Sequence, residues 1–230
     1  MASFETRIAP QRGRIANAVT IMCLLAFICT QSGLAGELRV SVIDKAGHGV
    51  GEAVITAMPL EQRRIGPVDA KAVMDQRDLA FVPRVMVVAA GTIVEFPNND
   101  TVSHQVYSFS PAKKFQLPLY KGELHTPVKF EQTGLVVLGC NIHDEMVGYI
   151  YVTDAPYFGK TDGSGGLELA GIPAGDYRVT VWSPFIADSA ATLVGLVHVG
   201  VTAVAPHRVQ LIRELRTRPE PRPRRADWEY

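Results

Sequence analysis

The chain has 230 residues, 47% of them hydrophobic, and its 23 basic side chains balance 23 acidic ones. That composition suits one large or two small packed domains and excludes an intrinsically disordered protein. With a formal net charge of zero, no strong field draws it to nucleic acid or to an anionic membrane.

Residues 1–36 read as an export signal. Arg7, Arg12 and Arg14 form a positive flank, Ile15 to Cys29 an apolar run, and Gly33, Ala35 and Gly36 a small-residue stretch with a cleavage site near Ala35. The alternative is an uncleaved membrane anchor, but Asn17 and Thr20 interrupt the run it would need. A periplasmic or secreted protein is expected, touching the membrane only if the segment is retained. Cleavage takes Cys23 and Cys29 with it and leaves Cys140 alone. A lone cysteine in an oxidising compartment closes no internal disulfide, so it is buried, intermolecular or bound to something.

In chain order, apolar runs at 38–43, 53–58, 85–88, 92–96, 104–109, 135–138, 146–153 and 177–182 predict short strands. Gly-rich or Pro-Gly turns at 46–51, 162–166 and 173–176 separate some of them. No long stretch repeats at helical spacing, so the expected class is all-β, a sandwich or barrel. Residues 37–69 supply first strands, 70–157 a compact block, and 158–213 further strands. From Glu214, five arginines interleave with Pro219, Pro221 and Pro223, and 214–230 is expected to be a disordered tail.

The chemistry concentrates in Val136–Val152, which reads as strand, tight loop, strand. The loop carries Cys140, His143 and Met146 in a C-x2-H-x2-M spacing, short enough to turn all three side chains to one point. Thiolate and imidazole are strong copper ligands, a thioether suits only a soft metal, and two His with one Cys and a weak axial Met form a blue-copper electron-transfer site. The second imidazole must come from elsewhere, and His104 follows a polar loop, Pro97–Ser103, that leads into a strand. The expected metal ligands are therefore His104, Cys140, His143 and Met146. His48, His125, His198 and His207 lack companions at useful spacing and read as surface or turn residues. Tyr107, Tyr149 and Tyr151 read as strand residues.

Residues 74–153 resemble the cupredoxin fold of plastocyanin, azurin and amicyanin. Phe81-Val82-Pro83 and Val85–Asn98 match the family's paired strands before the first ligand, and His104-Gln105-Val106 its upstream His position. The Cys140, His143, Met146 spacing is closest to amicyanin, and the block is similar to periplasmic cupredoxins labelled methylamine utilization proteins. The resemblance implies a Greek-key β-sandwich, one mononuclear copper ion cycling between Cu(I) and Cu(II), no enzymatic activity, and a redox partner such as a dehydrogenase or cytochrome. One departure is Gln105, where the family has an Asn that ties the ligand loops; Asn141 is the candidate to share that role. Another is Asp144 and Glu145, carboxylates expected to favour Cu(II) and lower the potential. Residues 38–56 and 160–182 resemble a carboxypeptidase regulatory-like, transthyretin-type sandwich, into which the copper block is inserted. Such domains are sometimes linked to carbohydrate binding, which would need an exposed aromatic such as Trp182; a core Trp is the expected reading.

Electron transfer is the expected function. A copper-delivery protein would use the same ligands. Catalytic zinc also takes two His and one Cys, although Met146 argues against it. A binding module with a structural metal is the remaining alternative.

Overall fold

A computed structural model describes residues 35–61, 70–122, 126–185, 192–200 and 207–210. The expected signal at 1–36, apart from its last two residues, and the expected tail at 214–230 lie outside them, as does His125. Among the described residues there is no helix, and the expected all-β architecture is met. The strands are β1 (Ala35–Ile43), β2 (Val54–Pro59), β3 (Lys71–Val73), β4 (Asp75–Arg77), β5 (Ala80–Val82), β6 (Val85–Ala89), β7 (Thr92–Glu95), β8 (Tyr107–Ser110) and β9 (Lys113–Gln116). They continue with β10 (Val128–Phe130), β11 (Gly134–Gly139), β12 (Val147–Thr153), β13 (Tyr157–Lys160), β14 (Gly166–Pro173), β15 (Gly175–Trp182), β16 (Thr192–Val199) and β17 (His207–Gln210).

The middle of the chain builds one sandwich. Its larger sheet runs β6-β12-β11-β8-β9 and its smaller one β10-β7-β3. Between them lies a core containing Met74, Phe81, Val94, Phe96, Phe130, Val136, Leu138 and Ile150. Phe96, Phe115 and Phe130 meet there with ring centroids 5.8 to 6.4 Å apart, a spacing at which tilted aromatic pairs attract. Strand β12 shows how sequence sets the layers. Ile150 and Val152 point into this core, while Tyr149 and Tyr151, on the alternate face, stay half-buried.

The ends of the chain build a second sandwich, with sheets β14-β1-β17 and β13-β2-β15-β16. Its core holds Leu38, Val40, Ile55, Ile172, Tyr177 and Val179. The chain leaves this sandwich after β2 and re-enters it at β13, which pairs with β2 from Tyr157↔Ala57 onward. The boundary expected at 157 therefore falls inside β13. The Gly-rich turn at 46–51 lies against the turn at 162–166 so closely that a Cβ on Gly49 would stand 2.0 Å from the Ser164 carbonyl oxygen. Only glycine fits there.

Trp182 joins the two sandwiches. Its side chain is 2% exposed, so it is a core residue and no carbohydrate platform. Its ring packs on Tyr149 and Tyr151 of β12 at 5.7 and 5.6 Å, which explains why the outer face of β12 is aromatic. Val54 and Val85 complete the cluster. Beside it the Arg84 guanidinium lies over the Phe185 ring, and the Lys160 ammonium, its pKa lowered by burial, donates to the Val85 carbonyl. Truncation of Trp182 to Ala is expected to cost about 3–5 kcal/mol through lost burial and a residual cavity. Urea denaturation should show this as a lowered midpoint.

Candidate metal centre

Strand β11 ends at Gly139, paired with Val147 at the start of β12. The loop 140–146 is thus closed on a cross-strand pair, and within it the Met146 N–H donates to the His143 carbonyl at 2.9 Å. Cys140 is 3% exposed, His143 half-buried and Met146 2% exposed. Met146 shares the buried cluster that contains Cys140.

His104 comes from the other side of the pole. The sequence predicts it inside a strand over 104–109, but β8 opens at Tyr107. The backbone of His104 instead pairs with Tyr120, N–H to carbonyl in both directions at 3.0 Å. That bridge turns the imidazole inward, fully buried. The loop before it is held by Asn98, whose amide donates to the carbonyls of Val102 and Tyr120 at 3.0 and 2.9 Å and accepts from the Asp100 N–H.

Three of the four expected ligands converge. His104 Nδ1 stands 3.1 Å from His143 Nδ1, and Cys140 Sγ is 3.8 and 3.7 Å from those two nitrogens. Among the described residues this trio forms a cluster able to hold a metal, with all donor atoms within 4.8 Å of one another. Nitrogens about 2.0 Å and a sulfur about 2.3 Å from a shared ion must lie roughly 3.3–3.7 Å apart, and the observed separations bracket that range. Two imidazoles and a buried thiol fit copper by softness as well. Met146, the fourth expected ligand, is buried in the same loop; its part as a weaker ligand remains the expectation drawn from the sequence pattern.

Sequence reasoning missed Asp100. Its Oδ2 accepts from His104 Nε2 at 3.0 Å and from the Leu79 N–H at 2.7 Å, while Oδ1 accepts from the Thr101 N–H. A proton held on Nε2 leaves Nδ1 as a bare lone pair aimed at Cys140 and His143. A carboxylate four residues before a candidate ligand His, in a loop, was the available signal. Burial pushes the Asp100 carboxyl up, but the Leu79 N–H, the His104 imidazole and the Thr101 N–H outweigh it and bring its pKa down to about 2. Burial, then the neighbouring His104, push the His143 imidazole down, which favours the neutral form that binds metal.

The other expectations resolve plainly. The Gln105 amide donates to the Leu117 carbonyl at 3.0 Å and so ties the stretch before β8 to the Leu117–Tyr120 segment. Asn98 carries the ties across the upstream loop. Asn141 stands exposed, as do Asp144 and Glu145. His48 and His198 are surface residues paired with Asp44 and Asp176, and His207 lies in β17.

No protein-family model matches the chain, and no curated protein does. The solved structures to which it is similar include a purple cupredoxin, amicyanins and a copper-containing nitrite reductase. A purple cupredoxin from Nitrosopumilus maritimus is 23% identical over 37% of this chain and 100% of its own, at a TM-score of 0.32. The reduced state of an amicyanin mutant is 20% identical over 43% of this chain and 99% of its own, at 0.33. A copper-containing nitrite reductase from Thermus scotoductus SA-01 is 23% identical over 42% of this chain, which spans only 25% of that enzyme, at 0.34.

The Asp100 pKa has a consequence for stability. Because it is depressed below the ordinary carboxylate value of about 3.9, its contribution is complete above pH ~4 and is lost as pH falls towards about 2. Asp100→Asn is expected to remove about 2 kcal/mol of the metal-free protein's stability at neutral pH. It should also flatten the loss between pH ~4 and ~2, measured by urea denaturation at a series of pH values.

Proposed function

We propose that this chain is an exported type 1 copper protein of the cupredoxin kind that carries single electrons between periplasmic redox partners and is no enzyme. The observation that carries the reading is the convergence of His104 Nδ1, His143 Nδ1 and Cys140 Sγ within 3.8 Å of one another. In this reading Met146 would hold the copper together with those three donors, as a weaker fourth ligand. Copper, when bound, supplies a Cu(I)/Cu(II) couple that takes up and gives back one electron.

The protein's part is to keep the donors still. His104 is clamped by the Tyr120 backbone and by Asp100, and Cys140 follows directly on a paired strand end. Donors fixed before metal arrives need little rearrangement between oxidation states. Burial of His104 and Cys140 excludes water from that side, and half-buried His143 is the ligand nearest the surface. A delivery protein needs donors that an incoming chaperone can reach, and two of these three are buried, which favours the carrier. A dehydrogenase or a cytochrome is the kind of partner proposed.

Two predictions test the reading. Copper(II) addition to the purified protein should give an intense thiolate-to-copper absorption towards the red end of the visible spectrum, absent in Cys140→Ser. Voltammetry should show a reversible couple whose potential rises in Asp100→Asn by roughly 60 mV or more, the equivalent of a tenfold change in preference for Cu(I). Asp144→Asn with Glu145→Gln should shift it upward by less, because exposed charges are screened by solvent and salt. No upward shift in either variant would remove the electrostatic part of the account.

A further inference from the structure

The ring of His104 is held by Asp100, but the place of its backbone is set by Tyr120. Tyr120 is buried and belongs to the core cluster that contains Cys140 and Met146. Its backbone makes the two-way bridge to His104, N–H to carbonyl in each direction at 3.0 Å. The same Tyr120 carbonyl also accepts from Asn98 Nδ2 at 2.9 Å. Whatever fixes Tyr120 therefore fixes His104.

The far end of Tyr120 is held as well. Its phenol donates to the Phe96 carbonyl and accepts from Gln76 Nε2. Gln76 Nε2 donates in addition to the Pro97 carbonyl at 3.2 Å. Gln76 lies fully buried in β4. Its N–H donates to the Pro97 carbonyl and its own carbonyl accepts from the Asn99 N–H, both at 3.1 Å. Asn98, between those two residues, bridges Gln76 on one side and Gly122 on the other. The stretch 96–99, which leads through the polar loop to His104, is thus tied to β4 and to the Tyr120 segment together.

Gln76 is costly where it stands. Among the described residues its Oε1 is buried with no hydrogen-bond partner, and an unpaired acceptor inside a core is unfavourable. A methionine of similar length would avoid that cost and orphan nothing. The Tyr120 hydroxyl would still donate to Phe96, and the backbone N–H at position 76 to Pro97. Packing alone gives no reason for an amide here. What the amide adds is a fixed link between the phenol and the Pro97 carbonyl.

We infer that Gln76 and Tyr120 are positioning residues for the metal centre, a buried amide–phenol brace that sets the backbone of His104 and so the seat of one copper ligand. The inference rests on the copper-carrier reading for its metal, whereas the brace is a property of the metal-free chain. Loosening it lets His104 Nδ1 stray from Cys140 and His143. Cu(I), which soft sulfur ligands hold, needs that nitrogen less than Cu(II) does.

Amide hydrogen exchange of the metal-free protein, followed by NMR beside urea denaturation, tests the brace first. Gln76→Met is expected to speed exchange at the His104 and Tyr120 N–H groups about tenfold, with a urea midpoint unchanged or raised. Tyr120→Phe should speed the same two amides. The double variant should exceed the larger single effect by little, because the two side chains act as one unit. After copper loading, Gln76→Met should lose copper(II) to a chelator about tenfold faster and show a raised reduction potential. Unchanged exchange at both amides in Gln76→Met, or exchange raised evenly across this sandwich with a lowered midpoint, would overturn the brace. An unchanged potential and chelator rate would overturn its part in holding the ligand. A chain that takes up no copper at all would instead overturn the carrier reading, and the exchange rates would still decide the brace.

Discussion

The hydrogen bond between Asp100 Oδ2 and His104 Nε2 is the contact on which the rest of the centre depends. An imidazole can turn either nitrogen to a metal, and a buried one without a partner costs stability whichever way it faces. Asp100 settles the choice by taking the Nε2 proton in a hydrogen bond, while the His104–Tyr120 backbone bridge fixes where the ring starts. Only then does Nδ1 face a thiol and a second imidazole carried by a separate loop. The carboxylate is itself pinned by backbone N–H groups of Leu79 and Thr101, so the orientation is built into the surrounding chain.

Much of this was legible in the sequence, and the legible parts share a cause. Strands β1, β2, β12 and β15 are long enough for alternation or continuous burial to show. Strands β3, β4, β5 and β10 have three residues each, too few for any period to register. Cys140, His143 and Met146 stand out because their grouping is local. His104 does not stand out by itself, since its approach to Cys140 is a tertiary event, and resemblance of position is what singles it out. Asp100 stays hidden for the same reason: only the turn of a non-helical loop brings it under the imidazole. Gln105 departs from a family pattern, yet the upstream loop is tied by Asn98, which precedes the ligand in sequence and closes the same gap through the Tyr120 carbonyl.

The second sandwich also gains a physical role. Tyr149 and Tyr151 would be two large rings on an open sheet face were Trp182 not packed on them. That contact holds the outer sandwich against β12, the strand that follows the loop carrying Cys140, His143 and Met146. The same cover stops short of β8, which leaves Phe109 as the exposed remainder of one apolar face.

Copper K-edge X-ray absorption of the loaded protein addresses the donor set most directly. The predicted result is one copper per chain with a single sulfur and two imidazole nitrogens in its inner shell, the sulfur vanishing in Cys140→Ser and one nitrogen in His104→Ala. A shell of oxygen and nitrogen alone, or one unchanged by either substitution, would contradict it.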